Sequence, residues 1–458
     1  MDISQEYSYY RNNRLGKADE MKSLSARSLI FLFAIAYVLS FVDRQILSLL
    51  ITPVKHDLFL TDFQFSILNG LAFASLYAIL GLPISALSDR IRRPPIIAAG
   101  IAVWSLATLG CGLSHNFRQL FFCRMVVGTG EAALVPAVYS FLADIVPPRR
   151  LGRTLALFSL GSFVGAGLAY LCGGALLSAI HGAQSWHGIR SWKLCFIAVG
   201  LPGIPLATVI AIFVKEPGPR APFAHFKPGP SATTFFRQYP AFFFTHFLGY
   251  SSTAVTLFSL MSWTPAFFMR AYHMPHALVG EMMGVIVIVC GCGGAYTSGR
   301  LIDALNTRHI DNAPVKAGLV GSLCAAATLI LAMSVANEML CVALMSVTFF
   351  FASFPMPPSA IVLQQIVPKM LRSQFSAVLL LCNSLIGLSG GSMLIGYLDD
   401  RVFTGTGGVA YALALVAGGA SVLAALLIYL SGRLNPAIES AAARPGYGDA
   451  AAALGENP

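Results

Sequence analysis

Twelve apolar runs of about 20 residues each, separated by short polar stretches, leave this chain few folds to choose from. Their centres place spans 1 to 12 near residues 28–51, 65–88, 95–114, 119–146, 154–180, 192–214, 241–269, 278–299, 313–335, 339–367, 373–397 and 409–431. Lipid offers the backbone no hydrogen-bond partner, so such segments are either helices or strands of a closed barrel. These runs are continuous and rich in Leu, Ala, Phe and Gly rather than alternating, which predicts helices. Only 11% of residues are charged, against about a quarter in soluble domains, so most of the surface faces lipid.

A net charge of +10 would suggest a nucleic-acid partner in a soluble protein. Here 22 of the 30 Lys and Arg fall on the side of the two termini. Six lie on the opposite side (Lys55, Arg118, Arg190, Lys193, Arg270 and Arg401), and Arg44 and Arg124 lie within spans. That bias predicts a multi-pass protein of the cell (inner) membrane with both termini cytosolic. The expected organisation is a tail at 1–27, a six-helix bundle at 28–214, a linker at 215–240, a second bundle at 241–431 and a tail at 432–458. The nine cysteines lie inside apolar runs without metal or redox spacing, and the glycine clusters lack the strand and the Gly-Lys-Ser/Thr of a phosphate loop. No catalytic constellation stands out, so neither an enzyme nor a metal, cofactor or nucleic-acid site is expected.

The halves repeat. Ile145-Val146-Pro147 recurs as Ile366-Val367-Pro368, and the same offset of 221 carries Pro136 onto Pro357. Ser85-x-Leu87-x-Asp89 recurs as Gly299-x-Leu301-x-Asp303. A duplicated six-helix unit with a site between its copies is a transporter architecture, which predicts an all-α integral membrane protein in two six-helix bundles. Pro355-Met356-Pro357-Pro358 removes backbone donors and is expected to break or bend span 10.

Four charged residues lie deep in spans: Asp43, Arg44, Arg124 and Glu131. Each opposes insertion by roughly 2.5–3.5 kcal/mol, so they should face one another or water. At about 1.5 Å per residue, Arg124 and Glu131 lie roughly 8 and 18 Å in from the start of span 4, and Asp43 falls between them in depth. Mutual neutralisation that merely locks spans 1 and 4 is the plain interpretation. The functional one makes Glu131, and secondly Asp43, proton-titratable, with Arg44 and Arg124 alternately binding these acids or an anionic substrate. Span 7 is aromatic instead, with Phe258 and Trp263 among its rings, and span 10 adds Phe354; these three are expected to meet an apolar substrate tail. His246 is expected to be a packing hydrogen-bonder.

Ser85-Ala86-Leu87-Ser88-Asp89-Arg90-Ile91-Arg92-Arg93 after span 2 resembles the signature of the major facilitator superfamily, with Ser85 where the leading glycine usually stands. Asp43-Arg44, the stretch Arg124–Ala132 and Trp263-Thr264-Pro265-Ala266-Phe267-Phe268 resemble the Spinster-like subfamily, whose members are proposed exporters of lysolipids and sphingoid phosphates. The resemblance implies a cytosolic gate of Asp89, Arg90 and Arg93 with Asp144, Arg149 and Arg153, and small-residue packing between the halves along Gly161, Gly165 and Gly167. It implies a monomeric, proton-coupled secondary transporter of an amphiphilic, anionic or lipid-like small molecule. A drug-type multisubstrate proton antiporter and an uncoupled facilitator of organic anions are the alternatives.

Overall fold

The structure, a computed structural model, describes residues 25–180, 185–186, 189–217, 232–368, 371–405 and 407–435. Among the described residues, eleven helices are long and apolar enough to cross a membrane: Ala26–Leu49, Asp62–Gly81, Arg93–Leu113, Phe117–Ile145, Arg150–Ala179, Ser191–Phe213, His276–Thr307, Ala313–Ser334, Glu338–Ile366, Gln374–Arg401 and Gly408–Arg433. They are spans 1–6 and 8–12. Span 7 is the 32-residue helix Pro240–Ala271, less apolar because His246 and a ladder of Ser and Thr interrupt it. The fold class expected from the sequence is the one found, and most span ends agree within a few residues. The chief exception is span 8, whose helix runs on past the apolar segment to Thr307.

The packing repeats as the sequence does. Span 1 packs on span 5, 2 on 4, and 3 on both 4 and 6; adding six to each number gives the pairs 7 with 11, 8 with 10, and 9 with 10 and 12. Between the halves span 5 packs on 8, 2 on 11, and 1 on 7. Local signals repeat too. Asn116 caps span 4 by accepting from Gln119 N at 3.0 Å, and Asn337 caps span 10 by accepting from Leu340 N at 3.0 Å, again 221 residues apart.

Span 4 breaks after Glu131 at a turn over 132–133, and span 10 breaks after Ala352 over 353–355, as its prolines require. The first break has the same cause, since Pro136 gives no N–H to the carbonyl of Ala132. Spans 2 and 8 each carry one wide π-helical turn, Ile67–Leu71 and Val287–Gly291, the second about six residues further along its helix than the repeat offset would place it.

One expectation needs correcting. Gly161 and Gly165 share a face and pack against Tyr37, Val38 and Phe41 of span 1, inside their own half. Two residues further on, about 200° around the helix, Gly167 meets span 8 at Gly284 and Ile288. Only that second face lies between the halves.

Candidate functional site

The site grows from consecutive residues on span 1. Arg44 projects toward span 4, where its Nη2 donates to Glu131 Oε2 at 2.6 Å. Ser40, one turn earlier, donates to the same oxygen at 2.8 Å. Glu131 is the last residue before the break in span 4, so its carboxylate stands at a helix joint rather than within a regular turn. Aromatic faces surround the guanidinium: Phe73 lies 4.2 Å, Phe41 4.6 Å and Tyr77 5.3 Å from it, ring centroid to carbon. Glycine at position 128 makes this approach possible, because a Cβ there would overlap the carbonyl of Phe73 on span 2. Glu131 is 1% exposed and the Arg44 side chain 10%, so both are buried, the arginine slightly less so, and Arg44 Nε has no hydrogen-bond partner. Glu131 Oε1 has no hydrogen-bond partner.

The other two charges are placed differently. Arg124 reaches no carboxylate; its Nη1 and Nη2 donate to the backbone carbonyls of Asp43 and Arg44, at 3.2 and 3.4 Å. Asp43 turns into its own half, near Thr108 of span 3 and Arg124, with Oδ1 unpartnered. The structure thus joins Arg44 with Glu131 and sets Asp43 apart, because neighbouring side chains on a helix diverge by about 100°.

Of the aromatic candidates, Phe258 is half-buried and the other two serve as packing. Trp263 is buried and donates to the carbonyl and hydroxyl of Ser392 on span 11, both at 3.3 Å. Phe354 is clamped against Gly321 of span 9, Phe350 and Phe351. Each ring fills a gap between spans of the second half. Phe242, Phe243, Phe247 and Phe375 likewise bury one another. His246 packs as expected, its Nε2 3.2 Å from the carbonyl of Ser359.

At the end of the bundle that carries the termini, Arg93 is fully buried. It donates to Asp144 at 2.5 Å, to Glu216 at 2.7 Å through Nε, and to Ser140 at 3.0 Å. The resemblance led to Arg93 and Asp144 being expected in a cytosolic gate; the structure brings these two together, along with Glu216 just past span 6, which the sequence reading did not include. Arg153 is exposed. The side chains of Asp89, Arg90 and Arg149 lie outside the described residues.

The opposite, far end holds a cluster that the sequence did not reveal. Arg270, closing span 7, donates to both oxygens of Asp62 at 2.6 and 3.1 Å and to Asp399 at 2.8 Å. Lys55 pairs with Asp62 at 2.6 Å. Asp400 accepts from the backbone N–H groups of Asp62 and Phe63, at 3.0 and 2.7 Å, capping span 2. Asp62 belongs to the first half; Arg270, Asp399 and Asp400 belong to the second. The hint was an Asp399-Asp400-Arg401 run at a span end, but its partners appear only once the halves dock.

Two repeated six-span units, with a buried ion pair at mid-depth and ionic ties at both ends, define a membrane transporter. A sequence profile described as "Major Facilitator Superfamily" matches residues 33–391, and the chain belongs to that family. It is similar to an "MFS-type efflux pump" of Mycolicibacterium smegmatis, 28% identical over 87% of this chain and 90% of the relative. It is also similar to "Protein spinster homolog 1" of Mus musculus, 28% identical over 82% of this chain and 74% of that protein. Among solved structures, a bacterial homolog of the human lysosomal transporter Spinster, inward-facing and unoccupied, superposes with a TM-score of 0.76. That match has 24% identity and covers 90% of this chain and 97% of the other.

Proposed function

We propose that this chain is a proton-coupled secondary active transporter for an amphiphilic or anionic small molecule, with Glu131 as the proton site and Arg44 as the group that trades Glu131 for substrate. The observation that carries this reading is the 2.6 Å contact between Arg44 and Glu131 at a helix joint, with an unpartnered nitrogen on the arginine and an unpartnered oxygen on the carboxylate. A buried pair of this kind holds its charges only while both are present. Protonating Glu131 removes one partner and frees a guanidinium already ringed by aromatic faces, which suits an anionic headgroup attached to an apolar body. Proton and anion then bind together, because each relieves the other's competition for Arg44.

Asp43, turned inward beside Arg124, sets the local field rather than exchanging with substrate. Phe258 supports the apolar part of the ligand. The ionic cluster joining the halves supports reading this as the state closed at the far end, with the terminus-bearing end, cytosolic by the charge bias, as its opening. The resemblance to Spinster-like proteins favours lysolipids or sphingoid phosphates as cargo.

In proteoliposomes, Glu131→Gln is expected to reduce uptake driven by a pH gradient to background while the purified protein stays folded. Uptake that persists at the wild-type level refutes the assignment of the proton site. A thermal-shift screen of lysolipids, sphingoid phosphates and common drugs, run on both proteins, identifies the cargo class; stabilisation by a small sugar alone refutes the amphiphile.

A further inference from the structure

The Trp263-Thr264-Pro265 segment of span 7 takes no part in the charge site, yet Pro265 sits inside a continuous helix. A proline there has no N–H for the carbonyl four residues earlier. In span 7 that carbonyl belongs to Met261, and two side chains from the other half occupy it. Gln45 Nε2 donates to Met261 O at 3.0 Å, and the hydroxyl of Tyr170 on span 5 donates to the same oxygen. Gln45 also donates to Tyr170 at 2.8 Å, closing a three-membered polar junction buried between spans 1, 5 and 7. One residue on, Asn69 of span 2 donates to Ser262 at 2.9 Å.

A side chain also takes up an exposed carbonyl within the second half. Phe354, in the break of span 10, accepts from Ser298 of span 8 at 2.7 Å. The difference lies in the partners: Phe354 is bonded from its own half, Met261 from across the divide.

We propose that Pro265 works as a positioning residue that exposes the Met261 carbonyl as the acceptor of an inter-half latch, with Gln45 and Tyr170 as its donors, and that this latch helps hold the far end shut. Opening the far end draws spans 1 and 5 away from span 7 and leaves the carbonyl without a donor, so the latch favours the closed state. The proposal concerns gating and stands whether or not a proton is carried.

The test is deuterium exchange on the full-length protein in detergent, comparing wild type with Pro265→Ala, Tyr170→Phe and Gln45→Leu. Alanine at 265 restores an N–H that competes for the carbonyl, and phenylalanine at 170 removes a donor while keeping the ring. Each is expected to raise the far-end-open population about three- to tenfold, the worth of one hydrogen bond between membrane helices. This is read as faster exchange at residues 48–62 and 395–403, with 93–105 unchanged. Because they act on one bond, Pro265→Ala and Tyr170→Phe combined are expected to exceed the larger single effect by less than twofold. Unchanged far-end exchange in Pro265→Ala overturns the proposal, as does a double variant whose effect is the full product of the singles. Should Gln45→Leu misfold, the two milder variants still decide it.

Discussion

The two ends of the bundle are tied in opposite ways. Where the termini lie, Arg93 gathers Asp144 and Glu216 from spans 3 and 4 and the exit of span 6, all in one half. At the far end Arg270 and Asp400 of the second half grip Asp62 and the start of span 2 in the first. A tie within one rigid half travels with it when the halves rock; a tie across them has to break and re-form. On that contrast, the Arg93 cluster is expected to contribute to stability and the Arg270 cluster to set which end is open.

Arg270→Ala is the hardest test of that contrast. It leaves Asp62 and Asp399 facing each other without their shared cation. The cost to the closed state is about 2 kcal/mol after allowing for the arginine's partial exposure, or roughly thirtyfold in population. Distances between spin labels placed at the exposed positions Phe59 and Val402 should broaden toward longer values; an unaltered distribution would show that the cluster does not gate.

Arg93→Ala should do the reverse, destabilising the purified protein by about 1–2 kcal/mol, read as a lower melting temperature, while leaving those distances alone. The half-exposed Asp144 keeps that loss modest. A shift in the label distances here would mean that the cluster reaches across the halves after all. Asp400→Asn is the mildest case. It keeps a capping oxygen but loses the charge at the N-terminus of span 2, worth about 0.3–1 kcal/mol, so the far-end-open population should rise by about two- to fivefold. No change would confine Asp400 to local capping.

The spans, the duplication and the deep charges were legible in the sequence because each is written in local composition or in a fixed offset. Counting residues put Asp43 between Arg124 and Glu131 in depth, yet it is its neighbour Arg44 that meets Glu131. Counting could not tell that Arg124 would spend its hydrogen bonds on the carbonyls of Asp43 and Arg44. Nor could it separate Asp43 from the pair, since that depends on how span 1 is rotated. Trp263 and Phe354 illustrate a further limit: a ring in an apolar run reads alike whether it lines a path or fills a gap. The far-end cluster was hidden for a different reason, because its partners lie in opposite halves and their meeting depends on the docking of two bundles.

The matched breaks in spans 4 and 10 carry a last consequence. Both halves own a joint at the same depth, but one is furnished with Glu131 and the other with Ala352. The duplicate is a vacant socket: under the proposed coupling, the chemistry that drives the cycle is concentrated in a single copy, and its twin is left to change shape for a different passenger without disturbing the engine.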